Sequence, residues 1–232
     1  MEKRDIVAEK PGEAAWQPRA LAGASFVIAA AALGQLPPPG PPEVAFAGRS
    51  NAGKSSAINA LANRRRLAFA SRTPGRTQQI VLFGLPSGSL VADLPGYGYA
   101  AVPKALKREW QEVLATYVAT RPTLVGLVLV VDARHGLKPL DLALLDGFVP
   151  SGRGVLVLAT KSDKLSRTEA SRAAAAIART LSERYPGQGP RIVVLPFSAT
   201  ARTGVAEADA VLADWLGVQP AREKKRPRDQ GE

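Results

Sequence analysis

The chain has no cysteine, one methionine and one histidine among its 232 residues. Without cysteine there can be no disulfide framework and no thiolate metal site, which fits a reducing compartment. The lone histidine, His135, is read as a packing or hydrogen-bonding residue, with no acid–base role. Long hydrophobic runs are missing too. The most apolar stretch, Ala20 to Gly34, falls short of the roughly 20 residues a bilayer requires. Glu2, Asp5, Glu9 and Glu13 precede it, so it lacks the basic lead of a targeting segment. It is expected to form a strand and a short helix packed on the domain. No internal repeat is visible.

What is abundant is positive charge. Lysine and arginine exceed the acidic residues enough to give a net charge of +11. That balance favours a polyanionic partner, either nucleic acid or an anionic membrane. Apolar residues make up 46% of the chain, enough for one sheet core covered on both faces.

Residues 1–19 mix charge, proline and glycine without periodicity and are expected to be disordered. Pro37-Pro38-Pro39-Gly40-Pro41-Pro42 is a stiff connector that ends an N-terminal extension over 20–42. From Glu43 to about residue 218, strand-like runs alternate with helical stretches. That alternation predicts a three-layer, doubly wound, mostly parallel α/β sheet. Ile80 to Leu85 and Ser89 to Ala92 flank the turn Pro86-Ser87-Gly88, so one antiparallel edge pair is expected. Pro103 to Tyr117 reads as an amphipathic helix. Leu106, Trp110, Val113, Leu114 and Tyr117 lie on one face; Lys104, Lys107, Arg108 and Gln111 lie on the other. The apolar face is read as core. The basic face is solvated or, as a second reading, a nucleotide-dependent RNA or protein contact. Residues 219–232 read as a basic flexible tail.

The most specific segment is Gly48-Arg49-Ser50-Asn51-Ala52-Gly53-Lys54-Ser55-Ser56. It carries the phosphate-loop pattern G-x-x-x-x-G-K-[ST]. The glycines let backbone N–H groups converge on phosphate oxygens. The Lys54 ammonium reaches the β- and γ-phosphates, and the Ser55 hydroxyl can ligate magnesium. Glu43 to Ala47 precedes it as a strand and Ser56 to Ala62 follows as a helix start, the context the chemistry needs.

Three later segments select the base and complete the phosphate site. Asp93-Leu94-Pro95-Gly96 can hold the magnesium shell through water and offer the Gly96 N–H to a γ-phosphate. In Thr160-Lys161-Ser162-Asp163 the last carboxylate can accept from guanine N1–H and its 2-amino group. Adenine lacks that donor pair and would leave the acceptor unpaired. In Phe197-Ser198-Ala199 the Ala199 N–H can face guanine O6. Each follows an apolar strand, and together they point to a GTPase.

These motifs resemble those of the EngB (YihA/YsxC) ribosome-biogenesis GTPases, in the translation-factor-related class of P-loop GTPases with a Ras-like G domain. The resemblance spans about Phe26 to Gly217. Beyond the segments above it rests on Thr73-Pro74-Gly75-Arg76-Thr77-Gln78, on Pro95-Gly96-Tyr97-Gly98-Tyr99-Ala100, and on Asp132-Ala133-Arg134-His135-Gly136. The family shares Thr160, where other GTPases have asparagine.

The resemblance implies GTP and GDP as ligands and a slow, magnesium-dependent GTP hydrolysis. Gly75, Arg76, Thr77, Gln78 and Gln79 would form the switch loop that meets the nucleotide. Lys54, Thr77, Asp93 and Gly96 are the expected catalytic set, and Ser55 and Thr77 the direct magnesium ligands. Thr73 is the competing switch threonine. Tyr97 stands where Ras-like enzymes carry glutamine, so intrinsic turnover should be slow. In related GTPases an asparagine at the Asn51 position ligates potassium; here Asn51 either does so or stabilises the loop through its own backbone. The implied partners are a large ribosomal subunit precursor and its rRNA. A cytoplasmic monomer without stable membrane association is expected. The competing readings are a phosphotransferase or ATPase using the same loop, and a nucleotide-gated GTPase acting at a membrane surface or on another RNA.

Overall fold

The computed structural model describes residues 19–68, 79–98 and 104–218; the side chains of 104–111 and 190 are outside the description. Thr73, Gly75, Arg76, Thr77, Gln78, Tyr99 and Ala100 therefore lie outside the described residues, as do both chain ends.

Seven strands form one sheet in the order β1-β3-β4-β2-β5-β6-β7. They are β1 (Ser25–Ala30), β2 (Glu43–Gly48), β3 (Ile80–Gly84), β4 (Leu90–Asp93), β5 (Leu124–Asp132), β6 (Gly154–Thr160) and β7 (Ile192–Pro196). The helices are α1 (Lys54–Leu61), α2 (Lys104–Thr120), α3 (Pro139–Phe148), α4 (Arg167–Arg184) and α5 (Val205–Trp215).

From β4 through β7 all pairings are parallel. The β3–β4 hairpin is antiparallel, as its turn sequence predicts. One antiparallel pair was the expectation, but there are two. β1 pairs antiparallel with β3 and takes the sheet edge. The segment that looked like a packed appendage therefore completes the sheet. It is anchored at Asp209 of α5, whose Oδ1 accepts from the N–H of Arg19 at 3.1 Å and of Ala20 at 2.9 Å.

Central strands bury both faces, so β5 reads as a continuous apolar run rather than an alternating one. Val128 and Val130 face the layer of α1 and α5, with Ile58, Leu61, Ala208 and Leu212. Leu127, Leu129 and Val131 face α2, α3 and α4, with Leu114, Leu145, Phe148 and Ile177.

One buried polar cluster ties the lower end of the sheet. Glu43 is fully buried. Its carboxylate accepts from Arg121 Nε at 2.9 Å, from the Tyr117 hydroxyl at 2.8 Å and from Thr123 at 2.8 Å. Arg121 also donates to the carbonyl of Pro37 at 3.0 Å, which fixes the proline connector. Burial, and then the Glu43 charge, push the Tyr117 hydroxyl far above its ordinary pKa.

The chain reaches β3 and β4 on one side of β2, then crosses to β5 on the other. The carboxyl end of β2 is thus the point where the winding reverses. In open α/β sheets that crevice is where ligands bind.

Candidate phosphate and guanine site

The loop Arg49 to Gly53 joins β2 to α1 at this crevice. Two glycines make it possible. A Cβ at Gly48 would lie 2.6 Å from the Val130 carbonyl oxygen, so only glycine lets β2 pass β5 there. Gly53 has φ +103°, left-handed backbone that side chains rarely adopt, and it precedes the first turn of α1.

The loop leaves its donors open. Ser50 N–H bonds the Tyr97 carbonyl at 2.8 Å and Ala52 N–H bonds the Arg49 carbonyl at 3.0 Å. The N–H groups of Asn51, Gly53, Lys54, Ser55 and Ser56 find no acceptor among the described residues. Gly53 has no side chain with which to cap the helix. Five orphan donors at a helix start form a receptor for anionic oxygens.

Lys54 Nζ forms an ion pair with Asp93 Oδ1. The Asp-x-x-Gly segment is thereby brought against the loop. Leu94 N–H bonds the Phe46 carbonyl at 2.9 Å, and Arg49 and Tyr97 form a parallel backbone bridge. The Ser55 hydroxyl is half-buried and donates to nothing among the described residues.

Thr160, a residue whose role the sequence left open, is a strut. Its buried hydroxyl lies 2.5 Å from the Ala52 carbonyl and 3.0 Å from that of Val131. It locks the phosphate loop to the end of β6. Next to it, Lys161 has φ +59°. Its ammonium bonds the Asn51 carbonyl at 2.7 Å and pairs with Asp132 at 3.0 Å. The Asn51 backbone is left-handed, φ +64°, and its side chain bonds nothing among the described residues.

Asp163 follows on a short 3-10 turn. Ser198 Oγ donates to its Oδ1 at 2.7 Å, and Ala201 N–H donates to Ser198 Oγ at 3.0 Å. The Ser198 bond holds the Asp163 carboxyl below its ordinary pKa. Phe197 is buried, and its N–H and carbonyl bond Ala159 and Ser162. The Ala199 N–H has no acceptor among the described residues. The structure therefore brings together Lys54, Ser55, Asp93, Gly96, Thr160, Lys161, Asp163 and Ser198 at one edge.

Asp132, in a segment whose role the sequence left open, sits at the edge of this site. Burial raises its pKa, but hydrogen bonds from Arg134 and Lys161 outweigh that and hold the carboxyl well below the ordinary range. Arg134 Nη2 lies 2.7 Å from Oδ2. With Arg49, Asn51, His135 and Lys161 these residues line a cavity of about 290 Å³ beside the loop. The motif Asp132-Ala133-Arg134-His135-Gly136 at the end of the apolar run of β5 marked the place, and the contacts give it a role.

A phosphate loop at the β2–α1 junction, a facing Asp-x-x-Gly segment and the Asp163–Ser198 pair define a P-loop GTPase. A family model described as "50S ribosome-binding GTPase" matches residues 43–161. Residue similarity narrows this further. The chain is 52% identical over 204 residues to "Probable GTP-binding protein EngB" of Azoarcus sp. strain BH72, covering 88% of this chain and 96% of that one. The EngB protein of Bordetella pertussis strain Tohama I is 48% identical over 201 residues, covering 83% and 94%. The chain belongs to the EngB family of GTP-binding proteins. The crystal structure of a probable GTP-binding protein engB superposes with a TM-score of 0.60 at 20% identity, over 75% of this chain and 98% of that one. Era bound to MgGDPNP and nucleotides 1506–1542 of 16S ribosomal RNA superposes with a TM-score of 0.55 at 23% identity, over 81% and 60%. Both likenesses concern the fold.

Proposed function

We propose that this chain is a GTP-dependent switch that acts in assembly of the large ribosomal subunit. The observation that carries the nucleotide part is the set of open N–H groups of Asn51, Gly53, Lys54, Ser55 and Ser56, with Asp163 fixed by Ser198 in the same crevice. The ribosomal part is supported by family membership, by the ribosome-binding description of the family model, and by the +11 charge. The functional unit on this reading is the G domain over 43–218, working in the cytoplasm as a monomer. No helix among the described residues is long and apolar enough to cross a membrane.

The residues divide as follows. Backbone N–H groups of the loop and the Lys54 ammonium take the phosphates, with Lys54 leaving Asp93 as phosphate arrives. Asp163 and the Ala199 N–H read guanine. Gly96 N–H and the switch residues Gly75, Arg76, Thr77, Gln78 and Gln79 report the γ-phosphate. The free Ser55 hydroxyl is a hard oxygen donor at the helix start that suits magnesium, and Thr77 would be the second direct ligand. The unspent Oδ2 of Asp93 would hold the magnesium shell through water. A magnesium ion held there would supply charge neutralisation for the phosphates. The Asn51 side chain, unbonded among the described residues, is available as a potassium ligand.

Sedimentation of the purified chain with large-subunit particles tests the proposal. Pelleting with a non-hydrolysable GTP analogue and release with GDP is the expected result. Equal pelleting in both, or flotation with anionic vesicles instead, contradicts it.

A further inference from the structure

We propose that the edge of the sheet at Phe26, together with the turn Arg64-Arg65-Arg66 after α1, docks a single-stranded segment of RNA. Phe46, Phe83, Phe148 and Phe197 are buried, whereas Phe26 is 63% exposed. Phe26 pairs in register with Phe83, which faces the α1 and α5 layer. Paired residues share a face, so Phe26 projects on the side of α1. The turn after α1 is held to this edge at Arg64, whose Nη1 donates to the Ala24 carbonyl at 2.7 Å, two residues before Phe26; Arg65 and Arg66 follow in the same turn. Arg65 and Arg66 are exposed and form no ion pair among the described residues.

The turn is also pre-shaped. Asn59 Oδ1 accepts from Leu67 N–H at 2.9 Å and Ala68 N–H at 2.8 Å, and its Nδ2 donates to the Ala68 carbonyl at 2.8 Å. An exposed ring for stacking beside unpaired cations is the combination that binds unpaired nucleotides: the ring takes a base face and the guanidinium groups take phosphates.

Other occupants fit worse. The ladder is broken between Phe26 and Ile28, and a bulged edge resists addition of a further strand. A second copy packed through a two-fold axis would bring two copies of the arginine triplet into one interface. The source of the RNA rests on the ribosomal reading above; the surface does not.

The test is fluorescence anisotropy of the full chain with a labelled single-stranded oligouridylate, across a series of salt concentrations. The double variant Arg65→Gln/Arg66→Gln should weaken binding on the order of tenfold at low salt. It should also flatten the slope of log affinity against log salt by about 1.4, for two lost contacts to a single strand. Phe26→Ala should weaken binding roughly 5- to 150-fold with the slope unchanged, and Phe26→Trp should restore it. Both variants should bind GDP as the parent does. Unaltered affinity and slope in the double variant overturn the proposal. So does a change in mass by light scattering for Phe26→Ala with RNA affinity retained, which marks a face for a second copy. If the parent binds oligouridylate but not large-subunit particles, this surface stands and the ribosomal source falls.

Discussion

The Tyr97 hydroxyl donates a 2.7 Å hydrogen bond to Oδ1 of Asp141, and both side chains are buried. Asp141 Oδ2 in turn accepts the Lys138 N–H at 2.8 Å, at the start of α3. The residue after Gly96 thus points into the core and latches the switch segment to α3. Burial, then the Asp141 charge, raise the Tyr97 pKa well above its ordinary value, so it stays a donor at any physiological pH. Burial likewise raises the pKa of Asp141.

Tyr97→Phe leaves one oxygen of a buried carboxylate unpaired. It should cost about 1–3 kcal/mol of stability. The single-turnover GTP hydrolysis rate should stay within about twofold, because the ring does not face the phosphate site. Tyr97→Gln should not raise that rate either. A large gain with glutamine would show that this side chain reaches the attacking water.

Thr160→Val keeps the shape and removes the hydroxyl that joins Ala52 to Val131. The expected outcome is weaker GDP binding together with a loss of about 1–3 kcal/mol in denaturant unfolding. Thr160→Ser should preserve both. If valine binds GDP as the parent does, the loop does not depend on the strut.

Asp163→Asn should weaken GTP roughly ten- to a hundredfold and strengthen xanthosine triphosphate, as titration calorimetry would record. The Ser198 bond depresses the pKa of Asp163, and cationic neighbours do so for Asp132. Both carboxylates therefore stay ionised down to about pH 4 and should add no pH dependence to GTP affinity between about pH 5 and 8, where only the second ionisation of the γ-phosphate, at about pH 6, would show. The stability contributed by Asp132 is present above the ordinary carboxylate pKa. It is lost as pH falls through the lower folded-state value, which places it in acid below about pH 4.

Glu43→Gln should lower stability by about 3–5 kcal/mol, since it strands the largely buried Arg121 guanidinium. At roughly 2–4 °C per kcal/mol for a chain of this size, Tm should drop by about 6–20 °C. GDP affinity should not change, because the cluster sits at the other end of β2. A loss of affinity with no loss of stability would contradict this.

Replacing sodium by potassium at constant ionic strength should speed GTP hydrolysis if Asn51 ligates the ion, which would face charge developing between the β- and γ-phosphates. Asn51→Ala should erase the difference and spare GDP binding. Constant ionic strength matters for so basic a chain. Equal rates in both salts would remove the ion from the mechanism.

The elements that sequence exposes best are those where local pattern and tertiary role agree. The loop glycines are such a case, because φ +103° at Gly53 and the Val130 carbonyl against Gly48 admit no other residue. The β3–β4 hairpin was readable from its turn. The place of β1 was not, because strand pairing with β3 depends on a partner over fifty residues away. Asp132 and Thr160 were opaque for the same reason. Their meaning lies in contacts with Lys161 and Ala52, which only the folded sheet brings near. Tyr97 stands where Ras-like enzymes carry glutamine, but its latch to Asp141 becomes visible only with the position of α3.

The most direct measurement is the sucrose-gradient profile of ribosomal particles after depletion of this protein. Accumulation of immature large subunits, with small subunits unaffected and rescue by the parent but not by Lys54→Ala, is the expected result. A normal profile, or a defect rescued equally by Lys54→Ala, would contradict a GTP-dependent role in large-subunit assembly.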